Sequence, residues 1–195
     1  MSSKATRKKK IIIFVSVLMS GLIIYGLLIG IKEIRKSRYP IRYEEYVIKY
    51  SREYNVPQEV IYAVIYSESG FDENAKSSAG AIGLMQIIPD TYDWLSRLMD
   101  ESYAEGDIYK PENNIKYGVF YLSHLYHDRF NNWDTALAAY NAGHGRVANW
   151  LNDTRYSDDG IALKEIPYEE TRNYVAKVNK VAEIYIEIYF EDIDS

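Results

Sequence analysis

Glu68 stands where the surrounding pattern asks for an apolar side chain. Ile61, Val64 and Ile65 precede it by seven, four and three positions, the offsets that mark one face of a helix. A carboxyl on that face is expensive to bury without a partner, and its usual response is a raised pKa. A carboxylic acid kept protonated near neutral pH is what general acid catalysis requires. The same spacing also fits a structural glutamate, paired with an arginine or capped by backbone N–H groups.

Three further stretches hold side chains that packing alone explains poorly. In "SSAGAIGLMQIIPDT", Ser77 to Thr91, the glycines Gly80 and Gly83 let the backbone approach a ligand or a neighbouring segment closely. Ser77, Gln86 and backbone amides supply hydrogen bonds there, while Leu84, Met85 and Ile88 supply apolar walls. No lysine follows the glycines, so the stretch is not a phosphate loop. In "AAYNAG", small alanines let helices pack closely and bring Tyr140 and Asn141 together. In "IPYEETRNYV", Glu170, Arg172 and Tyr174 lie near a helix start, and the helix dipole favours Glu169 and Glu170 there. The histidines form a poor metal site. His124 and His127 lie three apart beside Asp128, His144 is elsewhere, and no definite third ligand completes a set. Neither a metal nor a cofactor is expected.

Helices must position these groups. Tyr43 to Tyr54 has helical spacing, and Asn55 and Pro57 punctuate it. Pro57 opens a second helix that runs to about Ser69 and leaves Glu68 at its C-terminal end. Gly70 to Gly83 is a loop by composition, and Pro89, Asp90 and Thr91 restart a helix through Leu98. A long helix is expected from about Glu112 to Arg129, with Ile115, Val119, Leu122 and Tyr126 on its apolar face. Asp134 is expected to cap an Ala-rich helix that stops at Gly143, and Pro167 to start a long terminal helix. Strand signals are scarce and no repeat is visible, so the expectation is one all-α domain.

The N-terminal region differs from the rest. Ile11 to Ile31 is 21 residues without a charge, long enough to cross a hydrocarbon core as a helix. Lys4, Arg7, Lys8, Lys9 and Lys10 precede it and favour a cytoplasmic N-terminus. The expected organisation is a cytoplasmic basic tail (1–10), a single transmembrane anchor (11–31), a linker (32–40) and one extracytoplasmic domain (41–195). A cleaved signal peptide fits less well, because the apolar run is long and no small-x-small cleavage site is clear. The chain has no Cys, which removes disulfides, thiolate catalysis and Cys-ligated zinc. Residues 1–38 hold 9 of the 23 basic and 1 of the 28 acidic residues, leaving the remainder with 14 against 27, a balance of −13. So acidic a domain lacks the basic footprint that nucleic-acid binding needs. The 20 tyrosines suit recognition of polar, flat-faced ligands, though many will serve as packing.

Together the four stretches resemble the lytic transglycosylase family. "ESGF" at Glu68 to Phe71 is similar to the family's catalytic segment, and Gly83, Leu84, Met85 and Gln86 match its Gly-Leu-Met-Gln, with Pro89 and Thr91 following. Ala139 to Gly143 matches Ala-Tyr-Asn-Ala-Gly, and Pro167 to Val175 matches Pro-x-x-Glu-Thr-x-x-Tyr-Val. Glu73 stands where the family commonly has proline, and Ile88 where methionine is frequent.

The resemblance implies a goose-type-lysozyme-like helical domain acting on peptidoglycan glycan strands. It makes Glu68 the acid and base, and gives substrate contacts to Ser77, Gln86, Tyr140 and Asn141, with Tyr140 touching the catalytic carboxyl. Gly83, Met85, Glu170 and Tyr174 take supporting places. It also implies a one-carboxylate reaction that leaves 1,6-anhydro ends; no second acid shares a motif opposite Glu68. A hydrolytic lysozyme and a non-catalytic glycan-binding module remain the alternatives.

Overall fold

The computed structural model describes residues 2–104 and 106–191, with side chains from Phe14 onward. Met1 of the expected tail, and Glu105 and residues 192–195 of the expected domain, lie outside the described residues. The chain divides into two compact units, Met1–Pro40 and Ile41–Ser195.

The first unit is one helix, α1 (Ser2–Arg38). Its stretch Phe14–Arg38 is long and apolar enough to cross a membrane, with a mean hydropathy of 2.3 over an 18-residue window. Large apolar side chains from Phe14 to Ile34 are exposed all around it. The expected linker 32–40 is helical as far as Arg38, and the last turn carries Arg35, Lys36 and Arg38, which suit the negative end of the dipole.

In the second unit, α2 (Glu44–Tyr54), α3 (Gln58–Glu68), α4 (Pro89–Leu98), α5 (Pro111–Ser123), α6 (Trp133–Ala142), α7 (His144–Leu151) and α8 (Glu169–Tyr185) follow in order. Proline sets the start of α4 and α5 at the first helical turn. Wide π-type turns extend α5 over His124–Phe130 and α8 over Ile186–Phe190. Two isolated bridges, Lys76 to Ile82 and Ile82 to Ile87, take the place of strands among the described residues.

α3 is the central helix. Ile61, Tyr62, Ala63, Val64 and Ile65 are all buried, so the helix is apolar around its circumference, wider than the single stripe its spacing suggested. α8 packs along both α3 and α6, and α2 packs on α5. The expected cap of α6 is corrected. Asn131 turns the chain through φ 48, Asn132 follows extended, and the Asn132 side chain accepts from Thr135 N–H at 2.9 Å. Asp134 lies inside the first turn, where it accepts from Asn179 Nδ2 at 2.7 Å. Asn and Asp cap equally well, so composition could not choose between positions two apart.

Candidate active site

The C-terminal end of α3, the loop between α3 and α4, the α6–α7 junction and the first turn of α8 converge on one open cleft of about 490 Å³. Glu68, Ser77, Gln86, Tyr140, Asn141 and Glu170 line it. Gly83, Met85 and Tyr174 stand behind its wall, and Met85 is fully buried.

Glu68 is the last residue of α3 and sits in an apolar setting. Burial pushes its carboxyl pKa up to about 7, while a polar contact from Tyr174 and the charge of Lys177 act in the opposite direction. The Tyr174 hydroxyl faces the Glu68 carboxyl in a contact short of full hydrogen-bond geometry, and it has no other hydrogen-bond partner among the described residues. The contact between Tyr140 and Glu68 that the resemblance implies is not a hydrogen bond. Tyr140 donates to the Met85 carbonyl at 2.7 Å, because the loop brings that carbonyl over α6. Tyr140 still lies close enough for the Glu68 charge to add to the burial that raises its own pKa well above the usual phenol value. Both phenols therefore stay protonated beside the carboxyl.

The loop is held from beneath by a residue that sequence reasoning passed over. Asn114 of α5 is buried, and its side chain serves three backbone groups. Its Oδ1 accepts from Met85 N–H at 2.8 Å, and its Nδ2 donates to the carbonyls of Ile82 and Ile108, each at 2.9 Å. Gly83 makes this approach possible. A Cβ there would lie 2.5 Å from Asn114 Nδ2, and its φ of +78 also favours glycine. One turn further along α5, Gly118 leaves room for the Met85 side chain, since a Cβ would lie 2.4 Å from the sulfur.

Ser77 and Gln86 shape the rim. Ser77 Oγ accepts from Ala81 N–H at 3.0 Å, closing a tight turn. Gln86 Nε2 donates to the carbonyls of Gly83 at 2.9 Å and Ala75 at 3.2 Å, so its amide nitrogen is committed to the loop. Its side-chain oxygen makes no hydrogen bond among the described residues, and the residue lines the cleft. Ser69 ties the loop to α3 by donating to Leu84 O at 2.8 Å.

Glu170 brings a second carboxylate to the cleft from the first turn of α8, where it is exposed. Asp72 and Glu73, the acids nearest Glu68 in the chain, are exposed outside the cleft, and Glu73 accepts from the Tyr43 hydroxyl at 3.0 Å. Tyr121 and Arg146 line the cleft without having been singled out by sequence. Tyr121 packs against Tyr140 with ring centroids 5.2 Å apart, a neighbour across helices that no motif encodes. Of the histidines, His124 pairs with Asp128 at 2.9 Å and His127 with the Asn55 carbonyl at 3.0 Å. Chemically the cleft offers one carboxyl near neutral pKa, two neutral phenols beside it and a rim of amide and hydroxyl groups.

The family described as Transglycosylase SLT domain matches residues 45–162. The soluble lytic murein transglycosylase of Salmonella typhimurium is 37% identical over 146 residues, covering 73% of this chain and 23% of that protein. A membrane-bound lytic murein transglycosylase C of Haemophilus ducreyi is 30% identical over 169 residues, covering 75% of this chain and 46% of the other. An inactive mutant of the lytic transglycosylase Slt from Pseudomonas aeruginosa, with one glutamate changed to glutamine, is similar in structure. Its TM-score is 0.67 at 34% identity, over 78% of this chain and 25% of that one. The all-helical, lysozyme-like fold expected from the motifs is the fold this likeness carries. The chain spans about a quarter of the length of the soluble relative and just under half of the membrane-bound one.

Proposed function

Because the chain belongs to the transglycosylase SLT family, we propose that it is a peptidoglycan lytic transglycosylase with Glu68 as its general acid and then its base. One observation carries this reading: Glu68 lies in the cleft with its pKa raised by burial to about 7. A group poised there holds a proton for one step and accepts one in the next.

In the proposed reaction, protonated Glu68 gives its proton to the β-1,4 glycosidic oxygen between N-acetylmuramic acid and N-acetylglucosamine. The bond from C1 to that oxygen breaks, and the sugar's own N-acetyl oxygen stabilises the cationic C1. Glu68, now ionised, takes the proton from the muramoyl C6 hydroxyl as that oxygen attacks C1. The product is a 1,6-anhydro end, water takes no part, and Glu68 returns protonated. Ser77, the Gln86 side-chain oxygen and Asn141 are assigned to hydroxyl and amide groups of the glycan. Tyr174, whose hydroxyl faces the carboxyl, is assigned to orient it, and Tyr140 is assigned to line the cleft beside it.

α1 is assigned as a single membrane span, with the second unit on the extracytoplasmic side, where peptidoglycan lies. Its length and hydropathy support this, as does the membrane-bound relative.

The test is digestion of purified peptidoglycan by the full-length chain in detergent, with products identified by mass spectrometry. Products bearing anhydro ends are expected. Reducing ends would mean hydrolysis, which Glu170 in the same cleft would serve as a second carboxylate. No cleavage would leave a binding module. Glu68→Gln is expected to keep its helical circular dichroism and lose at least about a hundredfold in rate, the usual worth of a general acid.

A further inference from the structure

α3 ends at Glu68, and the last carbonyls of a helix lie beyond the reach of its own N–H groups. The Ile65 carbonyl accepts from Ser69 N–H at 3.0 Å, and the Tyr66 carbonyl from Gly70 N–H at 3.2 Å. The chain beyond α3 provides no such donor for the Ser67 carbonyl among the described residues. Its donor comes from another helix: Lys177 Nζ of α8, at 2.9 Å. α3 has no basic residue in its own last turn. The cation that a helix C-terminus favours is therefore delivered across the α3–α8 interface, to the peptide unit immediately before Glu68.

We propose that Lys177 is a positioning residue for Glu68: its ammonium caps the C-terminus of α3, fixes the backbone that presents the carboxyl, and sets the local charge against which that carboxyl exchanges its proton. This rests on the reading of Glu68 as the acid and base.

The surroundings leave Lys177 in that place with little competition. α8 presents Tyr174 and Lys177 to Glu68, and Glu170 lines the same cleft from its first turn. α6 presents Tyr140, α7 contributes Arg146 to the cleft lining, and the loop after α3 contributes the uncharged Ser77 and Gln86. Of the groups that shift Glu68, Tyr174 is a neutral phenol and Lys177 alone carries charge. Burial and the negative end of α3 both favour the protonated carboxyl, and Lys177 opposes them. Without it, the acid would give up its proton less readily and present itself on a frayed turn. Lys177 is exposed, so its influence is partly screened and must depend on salt.

Full-length Lys177→Met and Lys177→Arg enzymes are compared with wild type on purified peptidoglycan, with kcat and KM followed across pH. Glu68 must begin protonated, so the alkaline limb of kcat/KM reports its pKa. Lys177→Met is expected to move that limb up by ~0.5 pH unit at ~0.05 M salt, and the gap to wild type should narrow at ~0.5 M. At the plateau, kcat should fall about three- to tenfold with KM unchanged, a misplacement effect. Arginine should restore both limb and kcat. An unmoved limb at low salt, with or without a lower kcat, overturns the proposal. A wild-type enzyme whose cleavage survives Glu68→Gln would instead overturn the reading of Glu68. Should the methionine variant fail to fold, carbon NMR titration of the Glu68 carboxyl in wild type decides. Its pKa should rise as salt screens Lys177, and a pKa indifferent to salt refutes the role.

Discussion

Glu68 is held in a setting that its ionised form finds costly, and that cost is measurable as stability. In the unfolded chain the carboxyl titrates near 4.5, and in the folded one burial raises it to about 7. The folded state therefore binds the proton more tightly. Stability from this group is fully present below pH 4.5, is lost as pH rises through about 7, and stays lost above it. The gap corresponds to up to about 3 kcal/mol. Glu68→Gln cannot ionise and escapes the loss. Scanning calorimetry should find it melting several degrees above wild type at pH 8 and level with it near pH 4.5. Equal melting at both pH values would mean that the carboxyl is not held in a desolvated setting. The residue that carries the proposed chemistry is thus one the fold would be more stable without, as expected where function overrides packing.

Between α3 and α4 the chain has no strand ladder to hold it, and Asn114 supplies the missing bonds from α5. Its side chain satisfies three backbone groups, one donor and two acceptors, inside the core. Asn114→Ala leaves the Met85 N–H and the Ile108 carbonyl unpaired, at roughly 1–3 kcal/mol each, while the Ile82 carbonyl keeps the Ile87 N–H at 3.1 Å. A loss of at least about 2 kcal/mol is expected in the unfolding free energy from urea titration. Because the Met85 carbonyl holds the Tyr140 hydroxyl, cleavage should also fall about tenfold or more at temperatures where the variant is still folded. An active, stable Asn114→Ala would show that the loop holds itself. The sequence foretold the helices around this loop well, because proline, asparagine and apolar spacing act locally. It also grouped six side chains that line one cleft. It passed over Asn114, which repeats the signal of Glu68: a polar residue on a buried face, four before Gly118. Which hydroxyl meets Glu68 was not legible either. Tyr174 and Tyr140 lie on different helices, and their choice of partner depends on where the Met85 carbonyl comes to rest. The cap of α6 was misplaced by two residues because local rules allow both.

At the scale of the whole molecule, charge and hydropathy are separated along the chain. Residues 39–195 carry a balance of −13, while residues 1–38 place nine basic residues against one acidic on the two sides of the apolar run. An anionic membrane surface repels so acidic a domain, and the basic flanks bind it only through forces that salt weakens. Attachment under physiological salt must then come from burying α1, whose apolar stretch is long enough to cross the hydrocarbon. Two modes of attachment predict different fractionation. If α1 spans, full-length protein should remain with the membrane pellet through washes with ~1 M salt and with alkaline carbonate, and only detergent should release it. Release by salt alone would mean that the basic flanks, and not the apolar helix, hold the protein. Deleting residues 1–40, which form a separate unit, should yield soluble protein that still cleaves peptidoglycan in a Glu68-dependent way. In the cell, protease added from outside should digest the second unit of the intact protein. Protection there would reverse the proposed orientation, and an inward-facing domain could not reach the wall.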